Sequence, residues 1–268
     1  MSEQQEIISK LGEAGVLDGI RWAYLSATAR LLEAHAEDGA FEDAGWLGTS
    51  RYILFRDRLD RVFACERYGL SSGDEHSDLD LLYARLSDKD IRTMPRLNPG
   101  LVDRSNLNGS PGWVHQGDRF LLASSTFGKL DELPWPQKSP TKRQVASQPD
   151  PDPAQRSLFE GAADEELSVL EAAMAAEADL DMTTFVVAHS LDAISGKLEL
   201  VFGRPRLNAG GGRAWYWRED LVNIPPGSGS FRVDERPHPL GPDGTPDAPV
   251  RLRRDAGTQS PNYSSGER

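Results

Sequence analysis

Residues 136 to 157 read PQKSPTKRQVASQPDPDPAQRS, and this stretch limits the fold more than any other part of the chain. It offers little apolar surface, and its repeated prolines remove backbone donors, so an extended connection retains more entropy than a packed element would return. Apolar residues return on both sides of it. The pattern predicts an α+β protein in four parts: an N-terminal α+β domain over 1–135, a flexible linker over 136–163, a small α+β domain of one helix and an antiparallel sheet over 164–225, and a disordered tail over 226–268.

The N-terminal part opens with helical periods. Ile7, Ile8 and Leu11 give a short amphipathic helix. Ile20, Ala23, Ala27, Leu31 and Ala34 recur three and four residues apart over 19–38, and Leu54, Phe55, Leu59, Val62, Phe63 and Cys65 do so over 50–69. Cys65 reads as a small core residue. DLDLLYARL, 78–86, alternates and predicts a strand, and GWVHQGDRFLLASSTFG, 112–128, predicts two strands around Gly117-Asp118. Beyond the linker, Leu167, Leu170, Ala173, Met174 and Ala178 form a helical stripe. TTFVVAHSL, KLELVFGRP and RAWYWREDLVNI then predict a three-stranded antiparallel unit.

The net charge of −12 argues against indiscriminate wrapping of phosphate backbones while leaving room for a local basic patch. The start, MSEQQEIISK, lacks the basic and apolar regions of a signal peptide, and no run approaches the roughly 20 apolar residues that cross a bilayer. The expectation is a soluble, cytoplasmic protein with no membrane partner.

Candidate chemistry centres on YGLSSGDEHSDLDLLYARL. On a strand, Asp78 and Asp80 face one side and can share a divalent metal, with Gly69, Ser71, Ser72 and Gly73 near a phosphate. A small-residue turn followed by an Asp-hydrophobic-Asp strand resembles the core of nucleotidyltransferases of the DNA polymerase beta superfamily. That resemblance implies metal-bound triphosphate chemistry with a third acid on a later strand. Here Gly69 is followed by leucine, and RFLLAS has no internal carboxylate, with Asp118 just before it. A solvated acidic turn without metal explains the same residues. The five histidines show no metal-ligand or triad spacing; only His76 stands beside the acidic turn.

Two segments suit binding. Arg204, Arg206, Arg213 and Arg218 are interleaved with Trp215, Tyr216 and Trp217, a mixture that fits backbone contacts, stacking or peptide recognition. On an ideal strand Trp215 and Trp217 share one face as packing, with Tyr216 opposite. In the linker, QRSLF resembles the short peptide by which many bacterial polymerases and repair factors bind the replication sliding clamp. The resemblance makes Gln155 the anchor, Ser157 the small polar position, and Leu158 and Phe159 the pair that fills the pocket. Arg156 departs from the usual leucine. Leu158 and Phe159 also suit the hydrophobic staple or first anchor of the helix expected near Asp164.

The preferred reading is a noncatalytic adaptor in bacterial DNA transactions, recruited to the sliding clamp or another protein through Gln155, Ser157, Leu158 and Phe159. The alternatives are a metal-dependent nucleotidyltransferase or nuclease using Asp78 and Asp80, for which alone a divalent metal cofactor is implied, and a regulatory or structural protein unrelated to nucleic acid.

Overall fold

Thr184 through Ser190 are buried without interruption, the pattern of a strand covered on both faces rather than half wet. The reason is visible in a computed structural model, which describes residues 1–38, 44–69, 75–152, 180–209 and 211–223. Six strands form one sheet in the order of the chain: β1 Asp103–Arg104, β2 Gly112–His115, β3 Asp118–Ser124, β4 Thr184–Leu191, β5 Leu198–Pro205 and β6 Trp215–Asp220. Neighbours are antiparallel except β3 and β4, which run parallel from Arg119↔Thr184 to Ser124↔His189. The fold is α+β, as the periodicities imply.

Among the described residues six α-helices accompany the sheet: α1 Glu3–Glu13, α2 Val16–Asp38, α3 Ala44–Val62, α4 Glu75–Tyr83, α5 Asp88–Thr93 and α6 Pro140–Ala146. Ser2 and Gln5 start α1 with a reciprocal capping box, Ser2 Oγ accepting from the Gln5 amide at 3.3 Å and the Ser2 amide donating to Gln5 Oε1 at 3.2 Å. The first three helices deliver Leu11, Ile20, Tyr24, Phe55 and Leu59 to one face of the sheet, against Phe120, Leu122, Phe185, Val187 and Phe202. Alternate strand residues, among them Leu121, Ala123, Val186 and Val201, point the other way. There they meet Leu130, Leu133, Trp135, Val145 and Ala146.

This second cover comes partly from the predicted linker. Residues 136–152 are not extended throughout: Trp135–Gln137 make a 3-10 turn, and Ser139 caps α6 through the Lys142 amide at 3.4 Å. The low apolar content concealed the placement of Val145 and Ala146 on one side of a short helix, where both are buried. Because β3 pairs with β4, strands expected in two separate domains belong to one sheet. All described residues fall within one compact unit, Met1–Phe231; the second, Arg232–Arg268, lies outside them, as do the rest of the predicted linker, 153–163, and residues 164–179 of the predicted C-terminal helix.

The β2–β3 connection is a two-residue hairpin at Gln116-Gly117, one residue earlier than expected, with φ of 48° and 87°. Two consecutive positive φ values match the twist of the flanking strands, and glycine supplies the second without steric cost.

Candidate functional site

Helices α2 and α3 lie side by side on the sheet and leave between them and the α5 region a cleft of about 1680 Å³. The α2 wall follows helical spacing, with Asp18, Arg21, Trp22, Leu25, Ala29 and Glu33 on one stripe. Its α3 wall is polar at Asp57, Arg58, Asp60 and Arg61 and apolar at Ile53 and Leu54. Trp22 Nε1 donates to the Asp90 carbonyl at 3.2 Å and ties α5 to the rim.

Asp57 organises the polar wall. Its carboxylate accepts from Arg58 Nη1 at 2.9 Å, Arg61 Nε at 2.8 Å, Arg67 Nη2 at 2.7 Å and the Tyr68 hydroxyl at 2.5 Å. Burial alone would push this carboxyl up, but the Tyr68, Arg61 and Arg67 hydrogen bonds outweigh it and hold Asp57 below its ordinary value. Arg61 and Arg67 also lie over the Tyr68 ring, at 4.3 and 4.7 Å from its centroid. The Arg61 guanidinium further donates to the Leu81 and Leu82 carbonyls, fastening the end of α4.

One turn onward the balance reverses. Asp60 is pushed above its ordinary value by burial, only partly countered by Arg104 and Trp113. Arg104 Nη2 reaches it at 2.8 Å, Trp113 Nε1 at 3.1 Å, and the guanidinium lies 4.3 Å from the Trp113 ring centre. Arg58 crosses to α2, its Nε donating to Ser26 Oγ at 2.8 Å. Both carboxylates are therefore engaged in fixing arginine side chains. One ion pair of this network has a local mark in the sequence, since RDRLDR places Asp57 four residues before Arg61, the favourable order for a helical ion pair.

The residues singled out for metal chemistry are arranged differently from the expectation. Asp78 and Asp80 lie on α4, not on a strand. Two residues on a helix are separated by about 200° around its axis, so the shared face that suggested a joint metal ligand is lost. Asp78 is half-buried and Asp80 exposed. Asp118, considered as a third acid, pairs with Lys10 Nζ at 2.7 Å. No group of three or more metal-ligating side chains occurs among the described residues. Ser71, Ser72 and Gly73 lie outside those residues, as do Gln155, Ser157, Leu158 and Phe159.

The arginine and aromatic segment is split by a bulge. Arg204 pairs with Trp217 and Pro205 with Trp215, leaving Tyr216 as the extra residue on β6. Arg204 is buried near Phe185, with its guanidinium 3.7 Å from Glu3 and 3.3 Å from the Pro149 carbonyl. Arg206 and Arg213 are exposed, and Arg206 lies 5.8 Å from the half-buried Tyr216 ring. Arg218 is held by Asp131, with Nη2 at 2.9 Å. The predicted surface thus contracts to Arg206, Arg213 and Tyr216.

A second buried polar group lies where β4 ends. The Tyr24 hydroxyl donates to the Ser190 carbonyl, and His189 is enclosed by Tyr24 and Phe55, with ring centres 5.5 and 5.2 Å away. Neither His189 ring nitrogen has a hydrogen-bond partner among the described residues. Burial, with the nearby Arg51 charge, holds His189 well below its ordinary value, while burial pushes the Tyr24 phenol up to about 12. Burial likewise raises the Cys65 thiol to about 12, in keeping with a core cysteine. No helix among the described residues is long and apolar enough to cross a membrane. No known protein family, curated protein or solved structure matches this chain.

Proposed function

We propose that this protein is a noncatalytic adaptor in bacterial DNA transactions, recruited to the replication sliding clamp through Gln155, Ser157, Leu158 and Phe159. The observation that carries the noncatalytic part is the wiring of the large cleft. Asp57 and Asp60 spend their lone pairs on arginines and on Tyr68 or Trp113, which builds a rigid wall rather than a reactive centre. Recruitment rests on the QRSLF pattern, in which an apolar pair follows a glutamine beside a proline-rich run.

Titration of a purified bacterial sliding clamp by calorimetry tests the recruitment. Burying a large apolar side chain is worth roughly 1.5–3 kcal/mol, so Leu158→Ala with Phe159→Ala removes measurable affinity, and Arg156→Leu preserves or strengthens it. Equal affinity of parent and double variant, or none for either, rejects the peptide as the anchor.

A further inference from the structure

We infer that the carboxyl ends of β3 and β4 hold a binding site for a phosphate-type anion, with Arg51 as its counterion and Thr28 and His189 as polar partners beside it. This goes beyond the adaptor reading and does not rest on it. Its basis is an unmatched buried charge. Arg51 is only 8% exposed, its Nε has no hydrogen-bond partner, and its guanidinium enters no hydrogen bond or ion pair among the described residues. A buried arginine is costly unless a counter-charge meets it. Elsewhere in this fold one does: Asp57 meets Arg58 and Arg61, Asp60 meets Arg104, and Asp181 meets Arg119.

Helical spacing brings further unpartnered polar groups to Arg51. Tyr24 and Phe55 touch at 5.2 Å between ring centres, and both enclose His189. The five residues 39–43 join α2 to α3, too few for anything but an antiparallel pair. One turn on from Tyr24 and one turn back from Phe55 therefore lead the same way, to Thr28 and Arg51. Thr28 Oγ1 is buried and lies close to the Tyr24 hydroxyl without an aligned hydrogen bond to it. His189 is fully enclosed, with both ring nitrogens unpartnered among the described residues.

Lysines approach the same strand ends from the other face of the sheet. His189 pairs with Ser124 across the parallel ladder, and the Ser124 carbonyl accepts from Lys138 Nζ at 2.8 Å. Lys142 on α6 is half-buried, and its ammonium has no partner among the described residues. Besides burial, the charges that lower His189 are those of Arg51, Lys142 and Lys138; no carboxylate among the described residues offsets them there. Glu199, paired with Ser190 across β4 and β5, is engaged on the opposite face, accepting from Ser190 Oγ and from the Gly128 amide at 2.9 Å. In a protein of net charge −12, three cations gathered without a carboxylate form a local field that draws an anion.

A phosphoryl group matches this set. Its dianion offsets more than one cation, and its oxygens accept from a guanidinium fork, an ammonium and a hydroxyl together, whereas a carboxylate carries a single charge. The depth of Thr28 and His189 suits a terminal phosphate rather than a continuous nucleic-acid backbone, whose charges run along an open groove. The carboxyl ends of parallel strands are also where open α/β sheets receive their ligands.

Calorimetry and thermal melting of the full chain test the site, with inorganic phosphate, adenosine monophosphate and acetate as probes at matched ionic strength. Phosphate and the monoester bind and raise the melting temperature, and acetate does not. Tighter binding of adenosine monophosphate than of phosphate assigns the site to a phosphomonoester, and the reverse assigns it to the free ion. Arg51→Gln weakens the binding about tenfold or more, while Arg92→Gln, an exposed residue on α5, leaves it unchanged. Where Arg51→Gln does not fold, Lys142→Gln carries the same comparison and weakens binding about threefold or more. Failure of the parent to bind phosphate and the monoester, acetate binding as tightly as phosphate, or a folded Arg51→Gln (in its absence, Lys142→Gln) that binds as the parent does overturns the site.

Discussion

Trp215 and Trp217, two residues apart on β6, pack into opposite faces of the sheet. Trp215 meets Trp135 edge-on at 5.3 Å between ring centres, under the α6 cover; Trp217 joins Phe185 and Phe202 on the helical face at 5.6 and 6.1 Å. A regular strand puts such a pair on one side. Here the bulge at Tyr216 inserts one residue and changes the face, so a single short run of sequence closes both cores. Gly203 makes room for it, since a Cβ there would strike the Trp217 carbonyl.

The two tryptophans therefore give separable losses. Trp215→Ala empties a buried site and breaks the Nε1 bond to the Leu130 carbonyl at 2.7 Å, and it destabilises the fold by about 3–5 kcal/mol. Trp217 is half-buried, so its alanine variant costs less and chiefly frees Glu3, which accepts from its Nε1 at 2.6 Å. Urea unfolding of the two variants checks the order.

Asp57→Asn removes the charge that gathers Arg58, Arg61 and Arg67. The Asp57 side chain is 19% exposed, which places the expected loss at about 2–3 kcal/mol, below that of a fully buried pair. The pH dependence has a definite sign. Asp57 is held below its ordinary 3.8, so the unfolded chain takes up the proton first; the stabilisation is complete above that value and is lost as pH falls through the lower folded value. Thermal melts below pH 4 should decline less steeply in the asparagine variant.

His189 acts at a higher pH. The folded protein keeps it neutral well below its ordinary 6.5, while the unfolded chain protonates it there. Stability is therefore unaffected by this group at pH 8 and decreases as pH falls through 6.5 toward the folded value. His189→Phe, set between Tyr24 and Phe55, should flatten the melting temperature between pH 7 and 5 relative to the parent. An unchanged slope would show that His189 does not control this range.

What could be read in the sequence followed period and length. The stripes of Ile20 to Ala34 and Leu54 to Val62 announce α2 and α3, and Phe120 to Leu122 or Phe185 to Val187 announce strands. DLDLL was ambiguous, since five residues alternate without deciding between periods of 2 and 3.6; Arg61, binding the Leu81 and Leu82 carbonyls, belongs to the tertiary setting that holds the helix. The parallel pairing of β3 with β4 joins segments about sixty residues apart and leaves no local mark. The cleft was hidden for the same reason: RDRLDR shows one ion pair, while Arg67, Tyr68, Arg104 and Trp113 join it through folding.

Gln148 supplies the last prediction, because its side chain behaves as a piece of backbone. Its Nε2 donates to the Thr184 carbonyl and to the Val145 carbonyl, each at 2.7 Å, and its Oε1 accepts from the Thr184 amide at 3.0 Å. The amide thus completes the start of β4 and fastens the end of α6 to it, in a site only 4% exposed. Gln148→Ala leaves the Thr184 amide and carbonyl without these partners, for an expected loss of about 2–3 kcal/mol. Gln148→Glu keeps the shape but replaces the donating nitrogen with oxygen, turning two attractions into repulsions against carbonyls while the acid is ionised. The glutamate variant should therefore be less stable than the alanine variant at pH 7 and recover part of the difference at pH 4. Urea unfolding at both pH values tests this. An alanine variant as stable as the parent would show that Thr184 and Val145 are satisfied without Gln148.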